Sequence, residues 1–414
     1  MSKFRMPPVA DGPLETIQPN YQERVKSRVF ALDGLRGWAS LSVVCFHILW
    51  ETFGEIYPDI RNNITAFLLD GSLAVSVFFV LSGEALSASY FSGRGLKSVF
   101  DLMIKRYPRL VFPVLSAAVI TAVIVAFGLN HNVEAGLIVG RTDWLGSWLN
   151  FRPSIIGTLR FSFYDVFLNV NPTQSLVPFL WTMRIEFIGS CLVFALLILC
   201  NGERFKWWIV HLTFFILIVS HLYLKNVSLG NLACFISGVY CSKLRCIGLF
   251  EKYKVSLSAL IISSSTIVLL LTFDSLMHAG GTLELRTPFF AMILVAAISF
   301  NRFAERFLSN KLSQFLGKIS FPLFLIQFPI LISYTSWLIV YSSDENRFTG
   351  SVTAVFLSSL SICVVASVLF MPVEAATKSI CNFILQSTRR TGKAIYLSMS
   401  DKKLVDKKLN KTST

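Results

Sequence analysis

Long apolar runs separated by short polar segments organise this chain from about residue 37 onward. Runs at 37–54, 72–91, 110–128, 179–200, 207–224, 227–241, 255–272, 288–300, 319–340 and 351–372 read as membrane-crossing helices. The runs at 227–241 and 288–300 are short for a full crossing. The pattern predicts an all-α polytopic membrane protein with about ten transmembrane helices.

Composition agrees. The hydrophobic set makes up 54% of the 414 residues and charged residues only 15%, against roughly 25% in soluble chains. Mean hydropathy is +0.62. A soluble domain of this size cannot hide so much apolar surface, and a disordered chain would not carry it. An ordinary soluble enzyme is thereby excluded.

The net charge of +14 is spread between the apolar runs, which argues against a nucleic-acid partner and for the positive-inside pattern. With the N-terminus in the cytosol, the segments on that side hold 30 of the 38 Lys and Arg and the opposite loops hold seven. An even number of spans then places both termini in the cytosol. The expected organisation is a polar cytosolic segment at 1–36, a multi-span domain at 37–372 and a basic cytosolic tail at 373–414. The N-terminal segment lacks the apolar core of a cleavable signal, so the first span is expected to act as an uncleaved anchor. Residues 129–178 are long and aromatic for a loop, and read as interfacial or re-entrant segments capping the luminal face.

The eight cysteines lie mostly inside apolar runs and show no zinc-like spacing, so neither a metal site nor a disulfide framework is expected. No nucleophile elbow, Walker loop or dinucleotide fingerprint is present. No tightly bound cofactor is expected.

Charges inside spans are costly and mark candidate function. Arg36 and His47 are eleven residues apart, three helical turns, so they share a face about 16 Å apart along the axis. Arg36 then lies at the cytosolic edge and His47 near the midplane, with Glu51 one turn beyond within expected reach of the imidazole. Read alone, Arg36 fits a charge anchor; a mid-membrane His in register with it points to function. Asp33 precedes the same stretch. In the second span, Ser82 and Gly83 suit close helix packing, and Glu84 is placed near the cytosolic end with access to water. Lys105, Arg106 and Arg109 stand at the mouth of the third span, as phosphate ligands or lipid anchors. Arg184 and Glu186 point to different helix faces, so Glu186 needs a partner on another helix, a proton or a wet cavity.

These blocks, in order, resemble the acyltransferase-3 family of integral membrane acyltransferases. The resemblance rests on LDGLRGWASLSVVCFH, which sets ten residues between Arg36 and His47, with VFFVLSG (77–83), KRYPRLVFP (105–113), LWTMRIEF (180–187) and LGKISFPLFLIQFPI (316–330). They span about 300 residues, and the form of the fourth block looks most like fungal members. The resemblance implies transfer of an acyl group, often acetyl, from acyl-CoA to a hydroxyl of a glycan or secondary metabolite. By position it implicates Arg36 and His47, then Ser82, Arg106, Arg109 and Glu186. Two departures stand out: Gln327 where many relatives have a histidine, and Glu84 where an apolar or aromatic residue is usual.

On this reading the cytosolic cations bind the anionic donor, and His47 serves either as general base or as acyl carrier. Glu186 is the expected acceptor-side contact, with Glu51 and Asp33 supporting the catalytic pair. A transporter of an anionic solute, or a non-catalytic membrane scaffold, would use the same residues differently and turn over no acyl-CoA. A secretory-pathway membrane such as the endoplasmic reticulum is the expected location. Asn63 and Asn226 lie in N-glycosylation sequons assigned to the lumen.

Overall fold

The computed structural model describes residues 18–412, apart from 63–64, 67–68, 172–173, 202–205, 255, 279–284 and 345–347. The chain is all-helical, and among the described residues there is no strand. In order the main helices are α1 (Gln18–Cys45), α2 (Gly71–Ser89), α3 (Gly95–Ala126), α4 (Asn132–Ile138), α5 (Ile155–Arg160), α6 (Thr182–Leu199) and α7 (Trp207–Leu224). They are followed by α8 (Val227–Cys246), α9 (Leu257–His278), α10 (Thr287–Phe300), α11 (Lys311–Ile330), α12 (Ser336–Asp344) and α13 (Phe348–Thr412).

Among the described residues, each of the ten apolar runs is helical over most of its length. Six stretches among the described residues are long and apolar enough to cross a membrane, or seven if α10 and the helix Arg302–Leu308, bent by 96°, form one span. One of the six, Gly71–Ala126, covers two predicted runs. It breaks at Gly93 (φ 91°) and Gly95 (φ 57°), left-handed positions that glycine takes without a Cβ clash. The protein is a polytopic membrane protein. Helix α7 turns Phe215, Ile216, Leu222 and Tyr223 outward, a face suited to lipid and costly in water.

Two close helix pairs form the centre. Helix α1 packs on α11, and α2 on α8. In the first pair a side chain at Gly37 would meet the backbone of Leu316 and Gly317; in the second, one at Gly83 would meet the Phe235 backbone. Small residues permit this approach, and dispersion contacts reward it where lipid offers no hydrophobic drive. Polar ties fix the registers: Trp38 Nε1 donates to Ser313 Oγ (2.9 Å) and Ser40 Oγ to the Ser320 carbonyl (2.7 Å). Across α2 and α8, Ser76 Oγ donates to Asn231 Oδ1 at 2.8 Å.

The segment between α3 and α6 is structured. Buried Asn132 donates to the carbonyls of Leu145 and Trp148, both at 3.0 Å, and so holds the loop that presents Trp144 and Trp148 inward. All eight cysteines are free; Cys200, Cys234, Cys241, Cys363 and Cys381 are buried, whereas Cys191 and Cys246 are exposed.

Two expectations about charge are corrected here. Glu84 does not reach water: it is 2% exposed, and Oε1 pairs with Arg245 Nε of α8 at 2.5 Å. The Gly83 crossing carries its neighbour into the interior. Glu51 does not serve the imidazole either. Its carboxylate pairs with Arg141 Nη2 at 3.0 Å, and Arg141 Nη1 donates to its carbonyl at 2.5 Å. Residues Phe46–Glu51 form a π-helical turn, which shifts Glu51 from the face that regular helical spacing predicts.

Candidate functional site

His47 sits within that π turn, a local irregularity frequent at functional positions. Thr52 Oγ1 donates to the His47 carbonyl at 2.7 Å, taking up a backbone acceptor in the wider turn. The ring stacks on Phe179 with centroids 3.7 Å apart, and Trp144 lies 6.1 Å away. Trp148 and Phe328 close the box edge-on around Phe179.

Gln327, on α11, faces His47 with Oε1 3.0 Å from Nδ1. The amide orientation is fixed by its other end, because Nε2 donates to the Phe324 carbonyl at 3.0 Å. A flipped amide would set two acceptors against each other. The oxygen therefore faces the imidazole, and Nδ1 must carry a hydrogen to donate to it. In the neutral ring Nε2 is then the nitrogen with a free lone pair. Sequence reading singled out Gln327 only as a departure from a histidine; its role lies in this pairing across 280 positions.

Beside this cluster lies a cavity of about 570 Å³ between α1, α2, α3, α6, α11 and α13. One end is charged, with Asp33, Arg36, Arg106, Arg109, Glu186, Lys318, Glu374 and Lys378. Val75, Phe78, Phe79, Phe321 and Phe324 form an apolar wall, with Ser82, Thr182, Gln314 and Ser320 as further polar lining. Phe324 and Thr182 both face the cavity, and each is three residues from a contact of His47, namely Gln327 and Phe179. The cavity and the imidazole box thus share two stretches of chain, although His47 itself is not among the lining residues.

The charges divide into committed and surplus groups. Arg106 pairs with Glu186, and its Nε donates to Ser190 Oγ at 2.7 Å. Ser82 Oγ donates to the same Glu186 oxygen at 2.7 Å. Arg36 lies 3.7 Å from Asp33, and Lys378 2.9 Å from Glu374. Burial lifts the Asp33 carboxyl above its ordinary range, and Arg36 opposes that rise. These three pairs account for every carboxylate on the cavity, so Arg109 and Lys318 have no carboxylate within 4 Å among the described residues, although Arg109 is attracted by Glu374 at longer range. Arg109 feels both Arg106 and Arg36 nearby, so an anion there relieves like-charge repulsion.

The structure therefore gathers Asp33, Arg36, Ser82, Arg106, Arg109 and Glu186 around one cavity. His47 stands next to it in its own aromatic box, and Glu51 is apart with Arg141. Glu186 has the partner on another helix that its position requires. It lies on the same cavity as the cations, whereas Arg184 is exposed on the opposite face of α6. Lys318, Glu374 and Lys378 were not singled out from sequence. Lys318 is within the LGKISF block, and the other two follow the last apolar run, where basic residues suggest a solvated tail. Asn226 is exposed and caps α8, accepting from the Ser228 amide at 2.9 Å; Asn63 lies outside the described residues.

A helical membrane bundle enclosing a cationic cavity beside an in-membrane histidine is the class of protein defined here. The acyltransferase domain family (acyltransferase-3) matches residues 29–370, and the chain belongs to it. It is a multi-pass membrane acyltransferase. No curated protein and no solved structure matches the chain.

Proposed function

We propose that the protein is an O-acyltransferase that moves an acyl group, acetyl as a rule, from acyl-CoA to a hydroxyl of a small-molecule or glycan acceptor. The observation that carries this reading is the cavity itself: surplus cations at one end, apolar walls beyond, and His47 next to its inner side. Arg109 and Lys318, with Arg36 beside them, suit the phosphates of the donor. The apolar walls suit the pantetheine arm and acyl thioester.

In the proposed step, His47 Nε2 takes the proton of the acceptor hydroxyl as its oxygen attacks the thioester carbonyl carbon. The carbon–sulfur bond then breaks, the ester forms, and the CoA thiolate recovers the proton from the imidazolium. Gln327 keeps Nδ1–H engaged throughout, so the ring presents the same nitrogen for both transfers. The basic-loop asymmetry supports a cytosolic donor side with both termini in the cytosol, in an endoplasmic-reticulum or other secretory membrane.

The test is release of free CoA thiol from acetyl-CoA by purified protein in lipid nanodiscs, compared with His47→Ala at equal stability. His47-dependent turnover is expected. No acetyl-CoA binding or turnover across an acceptor panel would overturn the reading.

A further inference from the structure

A second pocket, of about 310 Å³, is lined by residues from 151–171, from 174–176 and from the start of α6. Its lining differs from that of the cationic cavity. Arg152, Asn169, Gln174 and the indole of Trp181 face it, and Arg160 and Asp165 neutralise each other at 3.3 Å. Arg152, Asn169 and Gln174 have side-chain hydrogen-bonding capacity that no described residue takes up. Planar amides and a guanidinium beside an aromatic face suit hydroxyl groups on a compact, uncharged ring.

The same segment is turned inside out with respect to a soluble helix. On α5, Gly157 and Thr158 face the pocket, whereas Ile155 and Ile156 are 82% and 79% exposed on the outside. Leu159 and Leu168 are also outward. Tyr107 of α3 donates to the Phe163 carbonyl at 2.5 Å, at a position 19 residues before the end of α3. That is about 28 Å along the helix axis. The segment therefore lies against the flank of the bundle, with Ile155, Ile156, Leu159 and Leu168 outward beside a pocket whose Arg152, Asn169, Gln174 and Trp181 are open at its rim.

The pocket also adjoins the imidazole. In the five residues Phe179–Met183, Phe179 stacks on His47, Leu180 and Trp181 line this pocket, and Thr182 and Met183 line the cationic cavity. One turn of chain thus touches both cavities and the base.

We infer that this pocket holds the acceptor, and that the acceptor is an amphiphilic alcohol. Its hydroxylated, uncharged head enters the pocket laterally while its apolar body stays in lipid against α5. This rests on the acyl-transfer reading for the word acceptor, but the binding site itself is tested independently of turnover.

The experiment uses full-length protein in nanodiscs and a diazirine-bearing octyl glucoside as photoprobe, with labelled peptides mapped by mass spectrometry. Label on 151–181 is expected to fall about tenfold with excess octyl glucoside and hardly at all with equal glucose. Trp181→Ala with Gln174→Ala should lower it about fivefold, with an unchanged Tm showing that the variant is folded. Equal competition by glucose would overturn the amphiphile, and absence of competable label on 151–181 would overturn the site. Intact label with no acetyl-CoA turnover by the wild type would sink the acyl-transfer reading and the acceptor role, leaving an amphiphile site.

Discussion

Gln327 Oε1 accepts the hydrogen bond of His47 Nδ1 at 3.0 Å, and the Phe324 carbonyl fixes which end of the amide does so. The two residues come from the π turn that follows α1 and from α11, and the approach of α1 to α11 is set by Gly37 against Gly317. Gln327→Leu should therefore lower kcat by about ten- to a hundredfold, part of what a general base contributes, with little change in donor KM. Gln327→Glu keeps an acceptor toward Nδ1 and should retain more activity than Leu. A purely structural role would instead lower Tm and leave kcat per folded molecule intact.

His47→Ala removes the proposed base. Turnover should fall by about 10² to 10⁴. Stability should change little, since an interhelical hydrogen bond in a membrane averages about 0.6 kcal/mol. Full turnover in this variant, measured at equal Tm, would remove His47 from the mechanism.

The cations at the cavity mouth are not equivalent. Arg109→Ala and Lys318→Ala should each raise donor KM about tenfold or more, because a charge-assisted bond is worth about 1.5–3 kcal/mol. Arg106→Ala should behave differently, since it strands Glu186 and frees Ser190 as well. Its main effect should be a lower Tm, only partly restored by Glu186→Gln. Titration with acetyl-CoA alongside thermal melts separates the two classes.

Topology has its own readout. Thirty of the 38 basic residues fall on one side of the proposed arrangement, so a C-terminal tag should be digested by protease added to sealed microsomes. Protection of that tag would reverse the orientation, and with it the side from which the donor enters.

The helices and three of the five cavity cations were legible in the sequence for one reason: lipid forces apolar runs to be long, and penalises charges that lack a purpose. Arg36, Ser82, Arg106, Arg109 and Glu186 stood out as polar residues in or beside apolar runs. Partnerships were not legible. Gln327 and His47 are 280 positions apart, and nothing local says that an amide on one helix will meet an imidazole on another. Glu51 was placed by regular helical spacing, which the π turn breaks. The outer pocket is assembled from a segment whose aromatic content signalled an interface but not a polar lining. Lys378 and Glu374 face the cavity because α13 continues unbroken past its apolar run, where composition alone suggests a solvated tail.

Glu84 gives the sharpest stability prediction. Its carboxylate is buried with Arg245 at 2.5 Å, and Arg245 Nη2 also donates to Ser299 Oγ at 3.0 Å, tying α2, α8 and α10 together. The guanidinium lies 5.0 Å over the Phe250 ring, and Glu84 Oε2 finds no partner among the described residues. Breaking such a pair from one side costs more than removing both halves, because a lone buried charge keeps its desolvation penalty without its attraction. Glu84→Leu should lower stability by about 3–5 kcal/mol, and Arg245→Met alone by a similar amount. The double variant Glu84→Leu with Arg245→Met should recover most of that loss, since the site becomes apolar throughout. Thermal melts of the four proteins in one detergent measure the cycle. Additive losses in the double variant would mean that the two residues act separately, and that the pair does not hold the three helices in register.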